Sequence, residues 1–197
     1  GRDNVMENNI LICGRDQQVQ YSGWTDKHPY WINHYKTMVE GYNMVKDQPA
    51  WQHMRYLGIG PEQAVLPDGK IMAHNFFRRN IVWYDSPKAP LYRLGNVNLE
   101  YNSFDENVVY NAGGPVTMGL KGAEPADQWA AWQKLGQDKS SVIADPLFVD
   151  ARHDDYRLKP ESPALKLGFK PIPVRRIGPY RSPLRASWPI VQAEGAR

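Results

Sequence analysis

Three short stretches of the chain share one pattern: Asn9-Ile-Leu-Ile12, Asn80-Ile-Val-Trp83 and Asn107-Val-Val-Tyr110. In each, an Asn, which tolerates a left-handed bend, precedes apolar residues suited to a strand. Repetition of such a unit predicts parallel strands whose Asn amides stack as a hydrogen-bonded ladder while the Ile and Val side chains stack inside.

The spacing of the pattern fits a solenoid only in part. Asn80 and Asn107 lie 27 residues apart, close to one turn of a repeat, whereas Asn9 and Asn80 lie 71 residues apart, which requires a long insertion. The pattern therefore favours an all-β chain folded as a parallel β-helix, with a generic β-rich domain as the alternative. In the first turn of the repeat, Val5, Ile10 and Ile12 are expected to point inward.

The composition narrows the functional classes. The net charge of +3 is dispersed along 197 residues, so nothing favours a nucleic-acid partner, and no apolar run is long enough to span a membrane. The single cysteine, Cys13, excludes an internal disulfide and a Cys-based zinc site, and its place at the end of an apolar strand predicts a buried residue. Seven Trp and eleven Tyr are many for this length, and carbohydrate-binding faces concentrate such rings.

The strand pattern lapses at about 21–69, where an aromatic-rich insertion replaces it. Apolar residues recur at helical spacing within Pro29 to Val45 and predict a helix, although Gly41 weakens it. A second helix is predicted from Pro125 to Leu135, with Gly136 ending it. The predicted organisation is a solenoid over 1–120 that carries the insertion, followed by a closing segment over 121–197.

The tail has the most distinctive sequence: Asp145-Pro-Leu-Phe-Val-Asp150, Asp155-Tyr-Arg-Leu158, Ser162-Pro-Ala-Leu-Lys-Leu-Gly168 and Ile177-Gly-Pro-Tyr180. It resembles the closing segment of bacterial right-handed parallel β-helix proteins of the pectate-lyase-like superfamily. Together with the aromatic insertion, it is most similar to glycoside hydrolase family 141 and its relatives. Gln20-Tyr21-Ser22 precedes Gly23-Trp24 here, where related proteins often carry an Asp-containing segment.

The resemblance implies a bacterial glycoside hydrolase that acts on a complex plant or algal polysaccharide and is secreted, periplasmic or displayed at the cell surface. It also implies that these residues are the C-terminal part of a longer protein, whose N-terminal part would be a structural partner. Two further readings stay open. One is a polysaccharide lyase, which would use Ca²⁺, and the other is a non-catalytic carbohydrate-binding solenoid.

Hydrolysis of a glycosidic bond needs two carboxylates on either side of it. Neighbouring parallel strands place outward residues in columns, so an acidic residue beside a strand is a candidate. Asp105, next to the ladder residue Asn107, is the best single candidate, although an Asp that caps a turn is a simpler explanation. Asp26, in the insertion, is the second candidate.

The insertion interleaves rings with polar groups, as a sugar subsite does. The candidate substrate-binding residues are Trp24, His28, Tyr30, Trp31, Trp51, Arg55 and Tyr56. His28 and His34 are six residues apart, a spacing that would place both on one metal only by chance of folding, so the hydrolase interpretation requires no cofactor.

Overall fold

A computed structural model of the protein describes residues 1–52, 61–120 and 122–173. Its strands are β1 (Val5–Glu7), β2 (Ile10–Ile12), β3 (Val19–Ser22), β4 (Asn75–Arg78), β5 (Ile81–Tyr84), β6 (Tyr92–Gly95), β7 (Asn102–Asp105), β8 (Val108–Asn111), β9 (Val142–Ile143), β10 (Phe148–Asp150) and β11 (Asp155–Leu158). Its α-helices are α1 (Pro29–Val45), α2 (Pro49–Gln52), α3 (Gln128–Lys134) and α4 (Pro163–Lys166), and short 3-10 turns occupy Pro61–Ala64, Leu99–Tyr101, Pro125–Asp127 and Ala151–His153. None of the helices in these ranges is long and apolar enough to cross a membrane.

The strands form four small sheets. Three are parallel, with strand orders β1-β4-β7, β2-β5-β8-β9 and β3-β6, and the fourth is the antiparallel pair β10-β11. From β1 to β8, successive strands of the chain enter different sheets, whereas β8 pairs with β9 and β10 pairs with β11. Within each parallel sheet, the strands lie next to one another in the order in which they occur in the sequence.

This architecture corrects the predicted fold class. An all-β, single right-handed parallel β-helix is wrong, because helical and strand residues each make up 27% of the described structure. The strands form separate small sheets rather than one stack of coils. Strands of two to four residues alternating with helices and turns give a mixed α/β protein.

The predicted ladder of Asn side chains is nevertheless present at the bend before the β2-β5-β8 strands. Asn9 Nδ2 donates to Asn80 Oδ1 (2.9 Å), and Asn80 Nδ2 donates to Asn107 Oδ1 (3.3 Å). Each of these oxygens also accepts the backbone N–H of the Asn on the neighbouring strand, at 3.0 Å. Asn80 and Asn107 are 1% and 0% exposed, so the ladder satisfies polar groups that water does not reach.

A second Asn ladder, absent from the sequence prediction, lies before the β1-β4-β7 strands. Asn4 Nδ2 donates to Asn75 Oδ1 (2.8 Å), and Asn75 Nδ2 donates to Asn102 Oδ1 (3.0 Å). Its strands do not share the apolar pattern of the first ladder, since the residues after the Asn are Val-Met-Glu, Phe-Phe-Arg and Ser-Phe-Asp. The same amide contact therefore occurs at two bends of the structure.

The core comprises two apolar clusters, one on each side of the β2-β5-β8 sheet. Leu11, Val82 and Val109 point into the first cluster, which includes the aromatic side chains Tyr21, Phe77, Tyr84, Tyr92, Phe104 and Trp132. Ile10, Ile12, Ile81 and Val108 point the other way and pack on the tail, chiefly on Phe148, Ala164 and Phe169.

The two-sided core overturns the expected side-chain directions of the first strands. Met6 and Leu11 pack against the first cluster, whereas Val5 is 52% exposed and Ile10 and Ile12 face the tail. A shift of one residue in a strand reverses the face on which a side chain lies, and strands that are apolar on both faces give no sequence signal to decide it. Cys13 is exposed rather than buried, at a bend with a positive φ of 50°.

The helices and tail strands follow their sequence signals. Helix α1 has the predicted bounds, and Pro125–Asp127 leads into α3, with Gly136 at φ 92° just beyond its end. The tail motifs form β10, β11 and the N-terminus of α4, where Ser162 Oγ accepts the Ala164 N–H (3.3 Å). The motif at Ile177–Tyr180 lies outside the described residues.

The Asn9-Asn80-Asn107 ladder ends at a buried carboxylate, that of Asp138, which accepts a hydrogen bond from Asn107. Asp138 is 0% exposed and accepts hydrogen bonds from the four neutral donors Tyr92 Oη, Trp132 Nε1, Asn107 Nδ2 and Ser141 Oγ. Burial, together with the adjacent Asp138 charge, holds the pKa of Tyr92 well above its ordinary value. This carboxylate joins β6, the ladder and α3.

Replacing Asp138 by Asn is expected to destabilise the fold strongly. Asn offers a single acceptor oxygen and turns an NH₂ group toward two of the four donors. The loss of hydrogen bonds to a charged, buried group is expected to cost about 3 kcal/mol. Urea denaturation of D138N measures the loss in the free energy of unfolding. D47N is the matched control, because Asp47 is exposed. An unfolding free energy equal to that of D47N would contradict the assigned role.

Replacing Gly41 by Ala is expected to stabilise the protein. Gly41 is exposed within α1, and a Cβ there would meet nothing within 4 Å. The change is therefore expected to contribute up to about 1 kcal/mol of helix stability. Thermal unfolding followed by circular dichroism tests it. G69A is the contrasting variant, since Gly69 has φ 77° and its Cβ would lie 2.9 Å from Asp26 Oδ1, so its Tm should fall.

Candidate functional site

The insertion leaves the sheets after β3 and returns just before β4. Gly23 N–H donates to Gly95 O (2.8 Å), and the returning Ile71 N–H donates to Trp24 O (3.2 Å). A Cβ at Gly23 would lie 2.8 Å from the Asn96 carbonyl oxygen, so this close approach requires glycine. The two ends of the insertion are thus fixed side by side.

Four rings at the start of the insertion form what we call the ring cluster: Trp24, His28, Tyr30 and His34. The centroids of the first three lie 5.2, 5.4 and 5.6 Å apart, with interplanar angles of 16° or less. Tyr30 continues the arrangement to His34 at 6.1 Å and 4°. Three nearly equal centroid separations between nearly parallel rings describe offset stacking in a triangle rather than in a single column.

The start of α1 positions this cluster. His28 is the N-cap residue, and its Nδ1 accepts the Tyr30 N–H (3.2 Å), while Pro29 occupies the first turn, where it removes no helical hydrogen bond. Tyr30 and His34 are four residues apart and so share one face of the helix. Trp24 and Tyr30 are 42% and 58% exposed, which leaves ring surface accessible to a ligand.

Asp26 lies between Trp24 and His28 in the sequence and is held by the backbone of the returning chain. Its N–H donates to Gly69 O (2.8 Å), and Thr25 pairs with Lys70. The Asp26 carboxylate lies against Gly69 and makes no hydrogen bond to another side chain or backbone group in the described part of the chain. It is half-buried, and its oxygens can accept hydrogen bonds from a ligand.

The other predicted substrate-binding residues are Trp31, Trp51, Arg55 and Tyr56, and the two that the structure describes differ in exposure. Trp31 is 7% exposed and packs beside Tyr35 (5.7 Å between ring centroids), so its ring is not available to a sugar. Trp51, in α2, is 38% exposed. Arg55 and Tyr56 lie outside the described residues. The structure therefore brings Trp24, His28 and Tyr30 together near Asp26, and adds His34.

Asp105, the other predicted catalytic residue, lies at the end of β7. Its Oδ1 accepts the N–H groups of Glu106 (2.9 Å) and Ser140 (2.7 Å), which ties β7 to the turn before β9. These contacts match the turn-capping explanation considered from the sequence. Its neighbour in register on β4 is Arg78, which is paired in turn with Glu7 on β1.

Two groups of ionisable residues escaped the sequence analysis because each joins positions 71 residues apart. Arg78 Nε donates to Glu7 Oε2 (2.8 Å), and this hydrogen bond is the main reason that the pKa of Glu7 is lowered. His74 Nδ1 lies 3.2 Å from Asp3 Oδ1. Alignment of β1 with β4 in register identifies the first pair, because Glu7 then lies opposite Arg78.

A groove of about 1020 Å³ lies elsewhere, between β2 and the tail. Its walls are mainly apolar, with Ile10, Ile12, Leu158 and Phe169 among them. It is separate from the ring cluster, whose features are exposed rings rather than a deep cavity. Across the described ranges, no group of three or more His, Cys, Asp or Glu residues is arranged to hold a metal ion.

Comparison of the chain with protein-family models, with curated proteins and with solved structures finds no match in any of the three. The geometry of the site is therefore the basis for assigning a function.

Proposed function

We propose that this protein binds a polysaccharide or oligosaccharide at the ring cluster. The observation that carries the proposal is the set of similarly oriented rings of Trp24, His28 and Tyr30, of which Trp24 and Tyr30 are exposed. The C–H faces of a sugar pack on such rings while its hydroxyl groups stay at the polar edge. The Asp26 carboxylate, fixed two residues from Trp24, can accept hydrogen bonds from those hydroxyls.

Replacing Trp24 by Ala is expected to weaken carbohydrate binding about 10- to 100-fold, because burial of a large ring contributes about 1.5–3 kcal/mol. W24F should lose less, since it retains an aromatic face. Affinity electrophoresis on gels containing soluble polysaccharides identifies a ligand, and calorimetry then measures Kd.

L135A is the control for this experiment. Leu135 is 53% exposed at the end of α3, remote in sequence from the ring cluster, so its loss should leave Kd unchanged. Equal binding by W24A and L135A, with both variants folded, would refute the ring cluster as the binding site.

Hydrolysis of a glycosidic bond is the second candidate function, as the resemblance to glycoside hydrolase family 141 implies. The half-buried carboxylate of Asp26, a residue two positions from both Trp24 and His28, favours it, because a catalytic carboxylate must lie next to bound sugar. A Ca²⁺-dependent lyase remains the alternative reading.

If the protein is a hydrolase, D26N should lower kcat at least about 100-fold, the usual contribution of a general acid or base. D105N should mainly lower Tm, because a neutral amide binds the Glu106 and Ser140 N–H groups less strongly. Reducing-sugar release from a polysaccharide panel measures activity. Full activity in D26N would remove Asp26 from catalysis, and products absorbing in the ultraviolet would assign the protein to the lyases.

A further inference from the structure

The outward side chains of the β1-β4-β7 sheet form a flat surface that we call the outer sheet face. Alternation along each strand places Phe77 and Phe104 in the core and their neighbours outside. Register aligns the outward residues in two rows across the three strands. The rows are Val5, Phe76, Ser103 and Glu7, Arg78, Asp105.

This face combines an apolar row with a polar one. Phe76 is 36% exposed and Val5 is 52% exposed. The Arg78 guanidinium lies 5.8 Å from the centroid of the Phe76 ring and also donates to Glu7. The outer sheet face therefore resembles the ring cluster, because both combine an exposed aromatic ring with groups that can form hydrogen bonds.

The outer sheet face adjoins the ring cluster through the chain itself. Ile71 is hydrogen bonded to Trp24, and three residues later His74 leads into β4. Phe76 follows Ile71 by five residues, which span at most about 17 Å. A ligand that reaches both surfaces must therefore be an extended one.

The charges at the outer sheet face nearly balance. Glu7 and Asp105 lie on either side of Arg78, and the positive charges of Arg79 and Lys170 also lie close enough to Glu7 to lower its pKa. The hydrogen bond from Arg78 lowers the pKa of Glu7, so Glu7 stays ionised further into the acidic range. A face with balanced charges gives a polyanionic ligand no net attraction, and its carboxylates repel one, whereas sugar hydroxyls can donate to carboxylates and accept from a guanidinium.

We propose that the outer sheet face is a second carbohydrate subsite and that the ligand is an uncharged glycan lying across β1, β4 and β7, with a sugar ring on Phe76. The proposal rests on the carbohydrate binding proposed for the ring cluster and specifies its ligand class. It also extends the site to elements that the sequence analysis did not implicate.

Chain-length dependence of binding tests the second subsite. The probes are xylan, β-glucan and galactomannan as uncharged polymers, polygalacturonate as the polyanion, and a disaccharide and an octasaccharide prepared from the polymer that binds. F76A should weaken octasaccharide binding about fivefold, the effect of one aromatic contact, and leave disaccharide binding unchanged. W24A should weaken both. F76Y, which keeps the ring, should behave as wild type, and V149A is the control for loss of an exposed strand side chain.

The outcomes separate this inference from the proposed function. Octasaccharide binding by F76A equal to that of V149A would overturn the second subsite while leaving the ring cluster intact. Unchanged binding by W24A would instead refute the ring cluster. Tighter binding of polygalacturonate than of every uncharged polymer would overturn the ligand class, whereas its exclusion, together with a gain in its binding on E7Q, would support it.

Discussion

The structure depends on one repeated contact, in which an Asn side-chain oxygen accepts both the amide and the backbone N–H of an Asn on the neighbouring strand. Strands of two to four residues supply few ladder hydrogen bonds, and the bends between them leave polar backbone groups inside the protein. The Asn amides also donate to carbonyl oxygens such as Met6 O and Phe77 O, so they satisfy the bend as well as each other. Asp138 accepts the last amide and links the ladder to Tyr92 and Trp132, where a further neutral Asn could not accept all four donors.

The same framework permits a long insertion between β3 and β4. Gly23 pairs with Gly95 and Ile71 with Trp24, so the chain leaves and re-enters at adjacent points and the strands on either side keep their register. The 17 residues of α1 are held mainly along the side that carries Trp31. The side that carries Tyr30 and His34 is left to the solvent, and the fixed backbone at Trp24 brings a third ring against it. The ring cluster is therefore a product of a helix cap and a sheet bend.

Two chemically similar surfaces result, one on the insertion and one on the β1-β4-β7 sheet. Each pairs exposed aromatic area with carboxylates, and each is held by backbone hydrogen bonds rather than by side-chain packing alone. Aromatic faces with polar edges suit ligands that are apolar on one side and hydroxyl-rich at the rim. The carboxylate that sequence reasoning favoured for catalysis, Asp105, is engaged with two backbone N–H groups, whereas the Asp26 carboxylate lies against Gly69. Binding is thus better supported by the geometry than any particular catalytic step.

The sequence by itself determined features that depend on neighbouring residues: the Asn before each strand of the first ladder, the bounds of α1, the Pro and Gly that flank α3, and the strands of the tail. Only the tertiary structure decided which face of each strand is buried, because Ile10-Leu11-Ile12 is apolar on both sides and packs on two different clusters. It also decided the fold class, the second Asn ladder, the burial of Trp31 and the exposure of Trp24. The second Asn ladder, for example, arises from contacts between residues 71 or 27 positions apart, Asn4 with Asn75 and Asn75 with Asn102. Local propensity carries no information about such contacts, because their energy exists only once the distant strands have paired.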